Sequence, residues 1–192
     1  MRHVVALAAA ALLAGCGGRY APVSDTPVRI GKPYSVRGIT YIPTADPTYD
    51  MLGMASWYGS ESGDRTANGE RFRAKAIAGA HTTLPLPSYV EVTSLDTGRV
   101  IVLRVNDRGP FAAGRIIDLS RGAADLLGIR AQGQAAVRVR VVDPPEADKA
   151  RLRAGKSPTP RPDVTPAVRA NLRAQLENGL RAMAEQQTSP RP

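Results

Sequence analysis

The sequence predicts a mainly β fold: a compact β-barrel between Met51 and Val142, with irregular segments on both sides. Three observations carry this. Short apolar or alternating segments recur across that stretch, turn signals separate them, and helical spacing is confined to brief runs. Five or six short strands and two short helices in so few residues fit a closed barrel better than a parallel α/β sheet.

Met1-Arg2-His3 is a positive start, and Val4 to Ala14 is an apolar run too short to span a bilayer. Residues 1–15 therefore read as a secretory signal peptide. Leu13-Ala14-Gly15-Cys16 resembles the bacterial lipobox, which implies a lipidated Cys16 as the mature N-terminus. Gly17 in place of Asp favours the outer membrane over the inner. Cys16 is the only cysteine, so no disulfide within the chain is expected. Residues 16–50 are rich in Pro, Ser, Thr and Tyr and read as a lipidated tether. Within it, Tyr34 to Tyr41 suggests a small hairpin around Arg37-Gly38.

Met54 to Tyr58 reads as the first barrel strand. Val90 to Leu95 and Val100 to Val105 flank Asp96-Thr97-Gly98-Arg99, a hairpin signal. Arg115 to Leu119 is a further strand. Ser120 is placed to N-cap a helix over Arg121 to Leu127 that ends at Gly128. Ala136 to Val142 alternates strictly, as a half-exposed strand does. Beyond Asp143-Pro144-Pro145, residues 143–192 form a Pro/Arg-rich tail. Thr165-Pro166 opens an amphipathic helix over 166–186, with Val168, Leu172, Leu176, Leu180 and Met183 at helical spacing. That helix is either a solvated surface helix or a docking element for an envelope or divisome protein.

Net charge is +9 and the pI is about 10.3. The basic residues are dispersed, with no Lys/Arg-rich run and no interleaved aromatic platform, which points away from nucleic acid. An anionic lipid or cell-wall polymer suits the charge equally well.

Three polar constellations stand out. Thr66-Ala67-Asn68-Gly69-Glu70 is either a loop ending at a helix N-terminus, where Glu70 would be favourable, or part of a functional site. His81 is the only histidine outside the signal segment, and is either a satisfied half-buried residue or a site residue. Asp107 ends an apolar strand beside the Gly109-Pro110 turn, and Asp118 sits between Ile117 and Leu119. A carboxylate in such surroundings is either hydrogen-bonded internally or faces a cleft. No Gly-x-Ser-x-Gly elbow, zinc ligand set or phosphate-binding fingerprint is present, so no metal and no cofactor is expected. Acid/base chemistry by carboxylates is what remains, and glycosidic cleavage uses it. Spacing alone does not show that Glu70, Asp107 and Asp118 converge.

Gly53-Met54-Ala55-Ser56-Trp57-Tyr58-Gly59, Thr66 to Glu70, Ala80-His81-x-Thr83-Leu84-Pro85, Val105 to Phe111 and Gly114 to Ser120 together resemble the rare lipoprotein A family of septal-ring lytic transglycosylases. The upstream Gly31-Lys32-Pro33-Tyr34 and Tyr41-x-Pro43 are similar to an N-terminal extension in that family. The resemblance implies a six-stranded double-psi β-barrel over 51–142 with an open polysaccharide groove. It implies cleavage of the β-1,4 bond from N-acetylmuramic acid to N-acetylglucosamine in peptidoglycan glycan strands, closing a 1,6-anhydro ring. It implies Glu70, His81 and Asp107 as the functional polar set, with Asp118 matching the groove aspartate of expansin-type barrels. Asp107 is then the expected acid and base, with Asp118 as its rival, and a second carboxylate such as Glu70 or burial as the cause of a raised pKa. Trp57 and Tyr58 are candidates to stack on sugar, or else pack the rim. Thr66, Asn68, Thr83, Asn106 and Arg108 are the expected substrate contacts. Arg73, and Leu86-Pro87-Ser88, depart from the family pattern, and the peptidoglycan-binding repeat of many members is not recognisable in the tail. The expected location is the periplasm-facing envelope, held by a lipid anchor. The rival function is an expansin-like, non-catalytic peptidoglycan binder.

Overall fold

The computed structural model describes residues 20–59 and 63–188. The signal segment and Cys16 lie outside the described residues. Among the described residues eight strands occur: β1 (Tyr34–Val36), β2 (Ile39–Tyr41), β3 (Asp50–Tyr58), β4 (Ala78–Ala80), β5 (Ser88–Ser94), β6 (Val100–Asp107), β7 (Arg115–Ser120) and β8 (Gln134–Val141). The helices are α1 (Arg121–Leu127), α2 (Glu146–Arg153) and α3 (Pro166–Thr188). β1 and β2 form a separate hairpin, and the other six strands close a barrel in the order β3-β7-β4-β6-β5-β8. β3 with β7 and β4 with β6 are parallel, and the remaining neighbours are antiparallel. This is the six-stranded double-psi barrel that the motifs imply.

Alternation fills the barrel. Ala135, Val137 and Val139 of β8 point inward beside Val90 and Val92 of β5 and Val102, Leu103 and Val105 of β6, all essentially without solvent contact. Each such valine or leucine side chain stabilises by roughly 1.5–3 kcal/mol relative to exposure. The outward Arg138 and Arg140 of β8 pair with Asp50 and Glu91 on the adjacent strands. α1 follows its sequence signals: Ser120 Oγ accepts the Ala123 N–H at 3.2 Å, and Gly128 ends the helix at φ 76°.

Three elements differ from expectation. β4 hides in Ala78-Gly79-Ala80, a run without apolar bulk. No α-helix follows Glu70; the loop instead forms an isolated bridge between Arg65 and Arg71. The tail expected as linker contains α2, whose Glu146 and Asp148 at the N-terminus and Arg151 and Arg153 in the last turn suit the helix dipole. Leu152 of α2 joins the barrel core. α3 lies where the tail helix is expected; Leu172 is buried, while Leu180 and Met183 are exposed.

From Tyr20 onward, the expected tether is fastened to the barrel. Ala21 N–H donates to the Gly69 carbonyl at 2.7 Å, Arg29 bridges Leu86, and Thr44 N–H donates to the Thr83 carbonyl at 2.9 Å. Asp25 accepts from Tyr89, Arg104 and Arg153. Burial works against the charge on Asp25, but these partners hold its carboxyl below the usual carboxylate range.

Candidate active site

Strand register gathers the two aspartates. Ser56 of β3 pairs with Asp118 of β7, Asp118 with Ala80 of β4, and Ala80 with Asp107 at the end of β6. The four form one row across adjacent strands. Asp107 and Asp118 are therefore two strand spacings apart, roughly 10 Å between Cα atoms, with Ala80 on the strand between them. Both line a cleft of about 400 Å³, walled by Tyr58, Arg65, Arg108, Phe111, Arg115 and the β1–β2 turn.

Asp107 Oδ1 accepts the backbone N–H groups of Ala67 and Arg108, each at 2.8 Å. Burial nevertheless raises its pKa; the two N–H groups and the Arg108 charge oppose this only in part. The cause is desolvation, with no second carboxylate among the contributors. The Asn106–Pro110 turn then bends back over the row. Gly109 has φ 140°, and a Cβ there would lie 3.6 Å from the Ala80 Cβ and 3.8 Å from Asp118 Oδ2. The left-handed φ, more than the space, is what favours glycine.

Asp118 is held differently. Ser56 Oγ donates to Oδ1 at 2.6 Å, Arg115 stands 3.5 Å from Oδ2, and a second Arg115 nitrogen donates to Ser56 Oγ at 2.6 Å. Ser56 and Arg115 fall within the recognised motifs yet carried no expected role. Alternation would have grouped Ser56 with Tyr58, but the Arg115 contact depends on a register that no local pattern reveals. Tyr58 borders the cleft and packs on Phe72, with ring centres 5.4 Å apart. Burial first, then the two aspartates, push its phenol pKa well up, so it stays neutral.

Glu70 faces away from this pair. It is 2% exposed. Oε1 accepts from Arg104 at 2.8 Å and Asn68 at 2.9 Å; Oε2 accepts from Arg104 and Asn106, both at 2.8 Å. Thr66 ties to the same loop through its N–H to the Glu70 carbonyl, at 2.9 Å. His81 is also 2% exposed, and its Nδ1 accepts the N–H groups of Thr83 and Leu84 at 3.2 and 3.1 Å. Burial, then the Arg108 charge, lower its pKa to about 4, so it is neutral at physiological pH. The His81 backbone N–H donates to the Asp107 carbonyl at 3.0 Å. Arg108 spends its guanidinium on the carbonyls of His81, Leu84 and Ile30. Trp57 lies on the other face of β3. Its Nε1 donates to the Arg130 carbonyl at 3.1 Å, and its ring packs on the core.

The structure thus brings Asp107, Asp118, Tyr58 and Arg108 to one cleft. Buried Glu70 and Thr66 form a network with half-buried Asn68 and Asn106 behind it, His81 and Thr83 brace the strand end, and Trp57 lies elsewhere.

Residues 50–139 match a family model described as lytic transglycolase. Over 114 residues the chain is 53% identical to a Pseudomonas aeruginosa protein named endolytic peptidoglycan transglycosylase RlpA, covering 58% of this chain and 33% of that one. Proteins of the same name from Vibrio cholerae and Rickettsia felis are each 42% identical, covering 68% and 63% of this chain and 60% and 54% of theirs. The chain thus spans between a third and three fifths of these relatives' length. Among solved structures, a Streptomyces papain inhibitor aligns with TM-score 0.44 at 23% identity, over 52% of this chain and 100% of its own. An expansin from Clavibacter michiganensis in complex with cellohexaose aligns with TM-score 0.39 at 18% identity, over 50% of this chain and 52% of its own.

Proposed function

We propose that the chain, whose residues 50–139 match the lytic transglycolase family model, belongs to that family and cleaves peptidoglycan glycan strands between N-acetylmuramic acid and N-acetylglucosamine without water. The observation that carries this reading is the pair of aspartates sharing one open cleft, each held by different partners. Burial favours a proton on Asp107, whereas Asp118 has a hydroxyl and a guanidinium against it.

Asp107 donates its proton to the glycosidic oxygen as the muramic C1–O bond breaks. The muramic C6 hydroxyl attacks C1, and Asp107, now a carboxylate, takes the hydroxyl proton. One C–O bond is lost, one is formed, and Asp107 returns to its starting state. A single group serves both transfers because they occur in sequence. Asp118, fixed by Ser56 and Arg115, faces the positive charge that develops at the sugar ring. Glu70 and His81 act as positioning residues: Glu70 through Asn106 and the loop bearing Ala67, His81 through the Thr83 and Leu84 N–H groups that its ring holds at the strand end, where its main chain meets the Asp107 carbonyl.

The same reading places the chain in the bacterial envelope, lipidated at Cys16 and facing the periplasm, with Gly17 favouring the outer membrane. Loss of lipid labelling in Cys16→Ser tests the anchor.

The test of the activity is digestion of peptidoglycan sacculi by the full chain, with products read by mass spectrometry. Wild type releases 1,6-anhydromuramic ends. Asp107→Asn lowers their release by at least about 100-fold, while its Tm does not fall, because Asn keeps the Oδ1 acceptor and removes a carboxylate whose charge burial disfavours. Reducing ends in place of anhydro ends would make the enzyme a hydrolase. Retention on glycan without cleavage would favour an expansin-like binder.

A further inference from the structure

We propose that Arg37, at the tip of the β1–β2 hairpin, binds a carboxylate carried by the glycan strand. This rests on the reading of the cleft as the peptidoglycan site, and it assigns a substrate contact to a segment outside the barrel domain. Val36 pairs with Ile39, so Arg37 and Gly38 alone make the loop, with φ of 50° and 80°. A two-residue loop with both φ values positive is the type I′ turn, which Asn, Asp and Gly favour at its first position. Arg37 is the only non-glycine residue with positive φ among the described residues. A long side chain kept at such a strained position points to a role for that side chain.

Arg37 borders the cleft that holds Asp107 and Asp118. Four arginines line that cleft against two carboxylates. Arg115 is turned to Asp118 and Arg108 to backbone carbonyls, which leaves positive charge at the mouth. The hairpin is held in place rather than free. Tyr34 and Tyr41 stack at 5.3 Å, Phe111 packs on both at 6.2 and 5.6 Å, and Tyr34 OH donates to the Thr82 carbonyl at 2.8 Å. A cation on such a support suits a fixed anion. Glycan strands offer one chemistry from two sources: the lactyl carboxylate of stripped muramic acid, or the carboxylates of the stem peptide.

The test uses the full chain carrying Asp107→Asn, so that strands survive, with and without Arg37→Asn. Asn suits the turn, so the Tm is expected to hold or rise. Retention is measured on peptide-bearing sacculi, on amidase-stripped glycan, and on stripped glycan with its carboxyls amidated. Arg37→Asn is expected to weaken retention about fivefold to tenfold on carboxylate-bearing strands, with a shallower salt dependence, and to change nothing on amidated ones. A charge-matched Lys32→Asn control leaves all three unchanged. Weakening on stripped strands identifies the lactyl group; weakening confined to peptide-bearing strands identifies the stem peptide. Equal retention with and without Arg37→Asn overturns the proposal, as does an equal loss on amidated strands. Digestion with the intact chain keeps the two readings apart. Anhydro release with no Arg37 effect sinks this inference alone, and an Arg37 effect without anhydro release sinks the transglycosylase alone.

Discussion

Replacing Glu70 by Gln puts an amide nitrogen where one carboxylate oxygen now accepts two hydrogen bonds. Four donor contacts converge on the wild-type side chain, two from Arg104 and one each from Asn68 and Asn106. Whichever oxygen is replaced, an Arg104 N–H then faces an N–H. If the amide takes the Oε2 place, Asn106 can turn to offer its Oδ1, which now has no partner, so one of the two lost contacts is recovered. The Arg104 contact is not, and its guanidinium, 3% exposed, keeps only Asp25 as a charged partner. Removing one partner of a buried pair costs about 3–5 kcal/mol, and the rescued contact brings the expectation to about 3 kcal/mol. At about 2–4 °C per kcal/mol for a domain of this size, the Tm falls by roughly 6–12 °C. Calorimetry reads this directly, beside anhydro-product release per folded molecule at a temperature well below the new midpoint. Activity per folded molecule should fall far less than in Asp107→Asn. A Tm within about 1 °C of wild type combined with abolished turnover would refute the argument and return Glu70 to the chemistry.

Three further outcomes follow from other places in the fold. His81 titrates at about 4 when folded against 6.5 ordinarily, so the unfolded chain binds more protons between those values; stability is full above about 6.5 and is lost as pH falls toward 4, by up to about 3 kcal/mol. His81→Asn keeps an acceptor for Thr83 and Leu84 but cannot titrate, so its Tm should vary less than wild type's from pH 7 to 4.5; an identical slope would show that His81 is not the source. Gly122→Ala should destabilise by about 1–3 kcal/mol despite better helix propensity, since its Cβ would meet the Lys75 carbonyl oxygen at 2.3 Å; a raised melting point would contradict that packing. Truncation after Asp143 removes buried Leu152 and the Arg153 partner of Asp25, and chemical denaturation should show a loss of about 2–5 kcal/mol; an unchanged midpoint would mean the tail is only a linker.

What the sequence made legible depended on how local each signal was. α1 was readable from end to end because Ser120, Arg121 to Leu127 and Gly128 satisfy their own hydrogen bonds within one segment. β8 was readable because alternation is a property of a single strand. β4 was not, since Ala78-Gly79-Ala80 owes its strand state wholly to β6 and β7 on either side, and α2 was masked by the prolines around it. The site divides in the same way. Asp107 was exposed by a break in an apolar run, but its nearness to Asp118 exists only through Ala80, which pairs with both. The small residue that looked least informative is therefore the one that sets the spacing of the two carboxylates. Glu70 shows the converse: its motif marked it as important, while the partner that decides its role, Arg104, lies 34 residues away in a strand read only as apolar. A motif locates a residue that must not change; the register decides whether the reason is chemistry or support.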